Sequence, residues 1–116
     1  MPKGYWIVRV DVKNEEPVRR YVAGNGPIFE KFGARLLVRA HRFEVPEGSS
    51  RALHAVIEFP GYASALACYH SPEYQRNKKI RDGHLDADFV IVEGHDDTQP
   101  HAQTAPQRFS GLFVRH

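Results

Sequence analysis

Residues 59–75, FPGYASALACYHSPEYQ, limit the possible folds more than any other stretch of this chain. A strand-like run ends at a Pro60-Gly61 corner, a helix of small residues follows, and Tyr69-His70 then meet a second helix start at Ser71-Pro72. Serine is a favoured helix cap, and proline at the first helical position wastes no hydrogen bond, so a helix break falls here. The break sets a titratable imidazole, flanked by Tyr69 and Tyr74, at a helix junction rather than on a plain surface.

The flanking segments supply the rest of an architecture. Gly4–Val12 alternates Trp6, Val8, Val10 and Val12 with Tyr5, Ile7, Arg9 and Asp11, the period of a strand. Asn14 reads as a cap, with Glu15, Glu16 and Pro17 in the first turn of a helix. That helix carries Val18, Tyr21, Val22, Ile28, Phe29 and Phe32 on one face and closes at Gly33, a left-handed cap. Gly24-Asn25-Gly26-Pro27 interrupts it, because an interior proline removes a hydrogen bond and clashes with the carbonyl four residues back. The pattern predicts a kink, or two short helices sharing one buried face. Residues 35–39 read as a second strand and Leu53–Phe59 as a third, with a Pro46-Glu47-Gly48 turn signal between them. Residues 62–69 form a short helix, Ser71 caps another that ends before Gly83, and residues 87–93 form a fourth strand. The order β-α-β-β-α-β predicts an α+β, ferredoxin-like fold with a four-stranded antiparallel sheet. Residues 1–94 make this domain. Residues 95–116 read as a polar linker followed by an apolar run at 109–114, which either docks on the body or adds a strand to a neighbour.

Such a sheet has helices on one face and should be polar on the other. Here Tyr5, Ile7, Leu37, Val56, and either Phe89 with Ile91 or Val90 with Val92, would lie bare in a monomer. A patch of that size marks an interface. The expectation is a homodimer that stacks sheet on sheet and encloses a small barrel interior. With the fully apolar rows against the helices, Arg9, Arg39 and Glu58 fall on the barrel-facing side, and Arg35 lies near the rim. Buried charges must pair or neutralise, so these residues form an ion-pair group or orient a carboxylate or enolate ligand.

Several function classes are disfavoured. A net charge of +2 is too weak to argue for nucleic acid. The basic group Arg76, Lys78, Lys79 and Arg81 reads as a solvated helix face, with phosphate or anion contact as the alternative. No apolar run approaches the roughly 20 residues of a membrane span, and the start of the chain is strand-like rather than a signal peptide. The single cysteine rules out an intrachain disulfide framework. A cytoplasmic protein is expected. None of the seven histidines stands in metal-ligand spacing. No Gly-rich dinucleotide loop, Walker loop or nucleophile elbow occurs, and no cofactor or metal is expected.

The remaining candidates cluster around the break. His70 titrates near neutrality and can move a proton beside a carbonyl, or it simply ties off the preceding helix end. Tyr69 and Tyr74 hydrogen-bond a ligand oxygen or stack. Asn25 either satisfies carbonyls freed by Pro27 or offers a polar handle in a pocket. Trp6 and Tyr5 belong to core and interface, or line a ligand site. Cys68 reads as an inert small hydrophobe.

The segments GYWIVRVDV, YVAGNGPIFEKFGARLLVR, RFEV, VIEFPGYASALACYHSPEYQ and ADFVIVEG together resemble the family named domain of unknown function 1330. That family looks like a branch of the dimeric α+β-barrel superfamily. The likeness covers about residues 3–94, with YHSPEYQ its most specific part. It implies a ferredoxin-like protomer and a sheet-to-sheet dimer, and it brings no established activity. The wider superfamily includes cofactor-independent quinol monooxygenases, muconolactone-type isomerases, haem-degrading monooxygenases and stress-induced barrels. Its members place small aromatic or lactone ligands between sheet and helices. The resemblance therefore implies a pocket for a small carbonyl or aromatic compound, with isomerase or monooxygenase-like chemistry. The alternative is a non-catalytic barrel with a structural role only. No shared catalytic motif selects among them.

Overall fold

The computed structural model describes residues 2–95. The expected tail at 95–116, with its apolar run, lies almost wholly outside the described residues. The elements are β1 (Gly4–Val12), α1 (Glu15–Lys31), β2 (Arg35–Ala40), β3 (Leu53–Phe59), α2 (Tyr62–His70), α3 (Pro72–Arg81) and β4 (Leu85–Glu93). The strands form one antiparallel sheet in the order β2-β3-β1-β4. This is the ferredoxin-like α+β arrangement, with its second helical segment divided in two.

Ser71 makes that division. Its hydroxyl accepts from the Tyr74 amide at 3.2 Å and donates to the Cys68 carbonyl at 2.7 Å. One side chain thus satisfies a free amide of α3 and gives the Cys68 carbonyl of α2 a second donor beside the Ser71 N–H. Pro72 follows at the first position of α3.

Of the two alternatives for the first helix, a kink or two short helices, the second is excluded, because α1 runs unbroken from Glu15 to Lys31 with Pro27 inside it. Pro27 lies on the exposed face, as does Ala23, whose carbonyl loses its usual helical partner. Asn14 occupies the cap position but makes no capping bond. Its side-chain amide instead meets His84 Nδ1 at 3.0 Å, tying the start of α1 to the turn before β4. Gly33 does close the helix, at φ +71°.

The register assigns every strand residue a side. Trp6, Val8 and Val10 lie opposite Ile57, Ala55 and Leu53 on β3 and opposite Ile91, Phe89 and Ala87 on β4. These rows face the helices. Trp6 is wholly buried among Phe29, Phe59, Tyr69, Tyr74 and Phe89, with ring centroids 5.0–5.9 Å away. Its indole N–H donates to the Ala65 carbonyl at 2.9 Å, which satisfies its one polar atom. Truncating a buried Trp of this kind costs about 3–5 kcal/mol.

The opposite face carries Tyr5, Ile7 and Arg9 beside Glu58, Val56 and His54 on one flank and Val92, Val90 and Asp88 on the other. Of the two alternatives for β4, Val90 and Val92 are therefore the pair on the open face. Ile7 is 42% exposed, Val38 40% and Val90 51%, so among the described residues the centre of this face is apolar and uncovered.

The end of β2 changes sides. The β2–β3 ladder shifts register between Leu36 and Val38. Arg35 still lies opposite Glu58, but after the bulge Arg39 comes opposite Ala55, on the helix side. The expectation that Arg39 shares the open face with Arg9 and Glu58 is thus corrected. An extra residue in one strand reverses the facing of everything beyond it.

Candidate functional site

Between α1 and the helix side of the sheet lies a cleft of about 280 Å³. It reaches across the sheet, from Leu36 and Arg39 on β2, past Ala55 and Ile57 on β3 and Trp6, Val8 and Val10 on β1, to Phe89 on β4. Val18, Tyr21, Val22, Asn25, Gly26 and Phe29 of α1 form the opposing wall.

The Gly24-Asn25-Gly26 segment explains both the position of α1 and the space beneath it. At Gly24 a Cβ would lie 2.3 Å from Asn77 Oδ1, so the missing side chain makes room for the Asn77 amide. Asn77 Nδ2 then donates to the Tyr21 carbonyl and to Asn25 Oδ1, both at 2.9 Å. Asn25 is buried and lines the cleft, and its amide oxygen accepts from Asn77 Nδ2. At Gly26 a Cβ would meet nothing within 4 Å, which leaves room on the cleft wall.

The residues singled out from the sequence separate into four places. Trp6, Asn25 and Arg39 line the cleft. Tyr69 and Tyr74 sit behind Trp6 in the aromatic core, with Tyr74 wholly buried. Arg9 and Glu58 lie on the open face of the sheet, where Arg9 pairs with Asp88 at 3.3 Å and Glu58 with Arg35 at 3.4 Å. His70 is exposed at the end of α2, edge-on to Tyr69 at 5.3 Å, and does not line the cleft. The imidazole that led the sequence reading is therefore not brought together with Trp6, Asn25 and Arg39. It shares the α2–α3 junction with Ser71, and the junction turns it outward.

Sequence reasoning misplaced one residue of consequence. Arg81, read as part of a solvated basic face, is only 8% exposed and lines the cleft. Its guanidinium lies 5.1 Å from the ring centroids of both Tyr21 and Phe89. Nη2 donates to the Tyr74 hydroxyl at 3.5 Å, a long contact, and Tyr74 shares a 2.5 Å hydrogen bond with Tyr21. Among the described residues, Nε is buried with no hydrogen-bond partner and no ion pair includes Arg81. Burial works against the cation, but the bond to Tyr74 and the oxygens of Tyr21 and Tyr74 outweigh it, so its pKa stays above the ordinary value. Burial, then Tyr21, likewise raises the Tyr74 hydroxyl well above its usual range. Ring contacts of this kind contribute about 0.5–2 kcal/mol each, whereas withdrawing a charge from water costs several kcal/mol even after relaxation. The spacing held a signal. Arg81 stands seven residues after Tyr74, two helical turns on, and so falls on the same buried stripe.

A second, polar hollow lies on the open face among Arg9, Asp11, Ser49, Ser50, Arg51 and Asp88. Arg51 Nε bonds Asp88 and Nη1 bonds Asp11, both at 3.0 Å. Asp11 also accepts from the Ala52 amide at 2.9 Å. These charges satisfy one another and fasten the β2–β3 connection to the sheet. Asp88 first, then Asp11, raise the Arg51 pKa. Among the described residues no three His, Cys, Asp or Glu side chains converge to hold a metal ion. No helix among them is long and apolar enough to cross a membrane.

Residues 3–95 match the family described as Domain of unknown function (DUF1330), and the chain belongs to that family. Among solved structures it is similar to a protein of unknown function from Rhodopseudomonas palustris, at TM-score 0.68 and 16% identity, over 82% of this chain and 84% of that one. It is also similar to a dabb family protein with a ferredoxin-like fold from Mesorhizobium loti, at TM-score 0.52 and 12% identity, over 83% and 98% of the two chains. A NIPSNAP domain protein from Burkholderia xenovorans aligns at TM-score 0.50 and 16% identity, over 86% and 99%. At these identities the likeness concerns the fold. A search of curated proteins found no match.

Proposed function

We propose that this chain is a homodimeric α+β-barrel protein that binds a small carbonyl or aromatic compound in the cleft between α1 and the sheet. The observation that carries this reading is the cleft itself. Its volume of about 280 Å³ lies near the lower bound of about 300 Å³ for ligand pockets. Its walls are apolar apart from a few polar side chains, chiefly Asn25, Arg39 and Arg81. An apolar chamber with a few directed polar groups suits a compact, largely hydrophobic molecule bearing one or two oxygens.

The dimer in this reading is supported by the bare centre of the open sheet face. Ile7, Val38, Val56, Val90 and Val92 make an apolar field. Arg9, Asp11, Arg51 and Asp88 bound it at one end, and Arg35 and Glu58 at the other. An apolar centre with a charged rim is the composition of a protein interface, and a twofold axis through the field would match it to itself.

His70 supplies no support for proton-transfer chemistry in the cleft, since it is exposed and turned away from it. That observation favours binding without catalysis, and the second reading is a non-catalytic barrel with a structural role only. A thermal-shift screen of neutral arenes, ketones, lactones and aryl acids tests the ligand reading. Binders should raise the melting temperature and alter the emission of Trp6, the only tryptophan in the chain. Ala55→Phe, which fills the middle of the cleft, should remove both effects. A broad panel that leaves melting and emission unmoved would sink the reading.

A further inference from the structure

We infer that the ligand of the cleft is an anion, an aryl or alkyl carboxylate or an enolate, held by the guanidinium of Arg81. The inference rests on the reading of the cleft as the binding site.

Arg81 is the most buried cation among the described residues, and it lines the cleft. Its surroundings are rings and a phenol rather than a carboxylate. Tyr21 and Phe89 offer ring faces, and Tyr74 offers one oxygen at 3.5 Å. Such contacts supply partial negative charge but no counter-ion, and Nε keeps an unused donor. Every other arginine with a carboxylate partner here lies where solvent reaches the pair, as Arg9, Arg35 and Arg51 do. Buried guanidinium groups are stabilised by planar, two-oxygen acceptors, which meet their parallel N–H groups two at a time. A carboxylate entering the cleft would supply the missing charge and leave its apolar body against Trp6, Val8 and Ala55. Arg39 is exposed on β2, at the far side of the sheet from β4, so it draws anions toward the mouth but stays wet and is the weaker anchor.

The experiment is calorimetric titration of the full-length chain at pH 7 with matched pairs: benzoate and benzamide, phenylacetate and phenylacetamide, 2-naphthoate and 2-naphthamide. Each pair keeps shape and changes charge. The expected result is that the best acid binds at least tenfold more tightly than its amide. Arg81→Met should weaken the acid tenfold or more and leave the amide within twofold. Arg81→Lys should restore part of the preference, and it covers the case in which Arg81→Met fails to fold. Arg39→Gln should change the preference by less than threefold. If acids and amides bind alike, or if Arg39→Gln rather than Arg81→Met removes the preference, the anion anchor is wrong and the cleft reading survives. If no member of any pair binds while wild type is folded, both fall together.

Discussion

Arg81 and Cys68 show how burial sets the chemistry of single residues. Arg81 brings a charge into the core without a carboxylate among the described residues, an arrangement that favours binding over stability. Arg81→Met should therefore unfold at no lower urea concentration than wild type and gain up to about 2 kcal/mol, with an upper range set by buried ion replacements. A loss of more than that amount would make the arginine a structural tie. Cys68 is fully buried, and burial, then the charge of Glu73, pushes its thiol up to about 12 from 9.0. In the unfolded chain the thiol ionises near 9, and in the folded chain only near 12. Its contribution is complete below pH 9 and is lost as pH rises toward 12. Between pH 8 and pH 10 wild type should lose about 1.4 kcal/mol more than Cys68→Ala in urea titrations, the value of one proton over one pH unit. Equal losses would show that the thiol is not so shielded. His70 belongs to the opposite case, because it is exposed. His70→Ala should leave ligand affinity within twofold by calorimetry, and a larger loss would restore it to the site.

At the scale of the element, α1 determines the cleft. Its Gly24 gives α3 close access, and Asn77 uses that access to bond the Tyr21 carbonyl and Asn25. Gly24→Ala should raise helix propensity by about 1 kcal/mol yet lower net stability by about 1–2 kcal/mol, because an Ala side chain displaces an amide that makes two hydrogen bonds. Pro27 is the contrary case. It sits within the helix on the exposed face, so Pro27→Ala should stabilise by about 1–3 kcal/mol. Thermal melts of both variants check the two signs, and matching signs would contradict this account of α1. β2 makes a different point. Its alternation reads correctly at Arg35 and fails at Arg39, because Leu37 is an extra residue that no local pattern announces. Bulges arise from pairing with the neighbouring strand, and a lone strand carries no record of its partner's register.

At the scale of the whole molecule, among the described residues one sheet face is covered by helices and the other is bare. Sedimentation at micromolar concentration should therefore give twice the 13.2 kDa chain mass. Val90→Asp, in the centre of the bare face and 51% exposed in the single chain, should give folded monomers by buried-charge repulsion across the twofold axis. Wild-type monomers would remove the barrel interior from the proposal, although the cleft under α1 belongs to one chain and would remain. Removing residues 95–116 should leave the same mass ratio. This scale also shows why the site was only partly legible. Trp6 and Asn25 announced themselves as an aromatic and a polar residue on apolar faces, and both line the cleft. Arg81 lay among lysines in a polar helix, and only the packing of α3 between Tyr21 and Phe89 makes it interior.

Periodicity by itself determined the elements, their order and the side on which most strand residues lie, because a two-residue or 3.6-residue repeat is written locally and water enforces it. It also determined the helix junction at Ser71, whose hydroxyl and following proline need no distant partner. Tertiary structure alone decided which face Arg39 takes and that His70 points to solvent. Each of these depends on contacts between segments far apart in the chain. A side chain's surroundings come from such contacts, and the charge it can hold, or the ligand it can meet, follows from those surroundings.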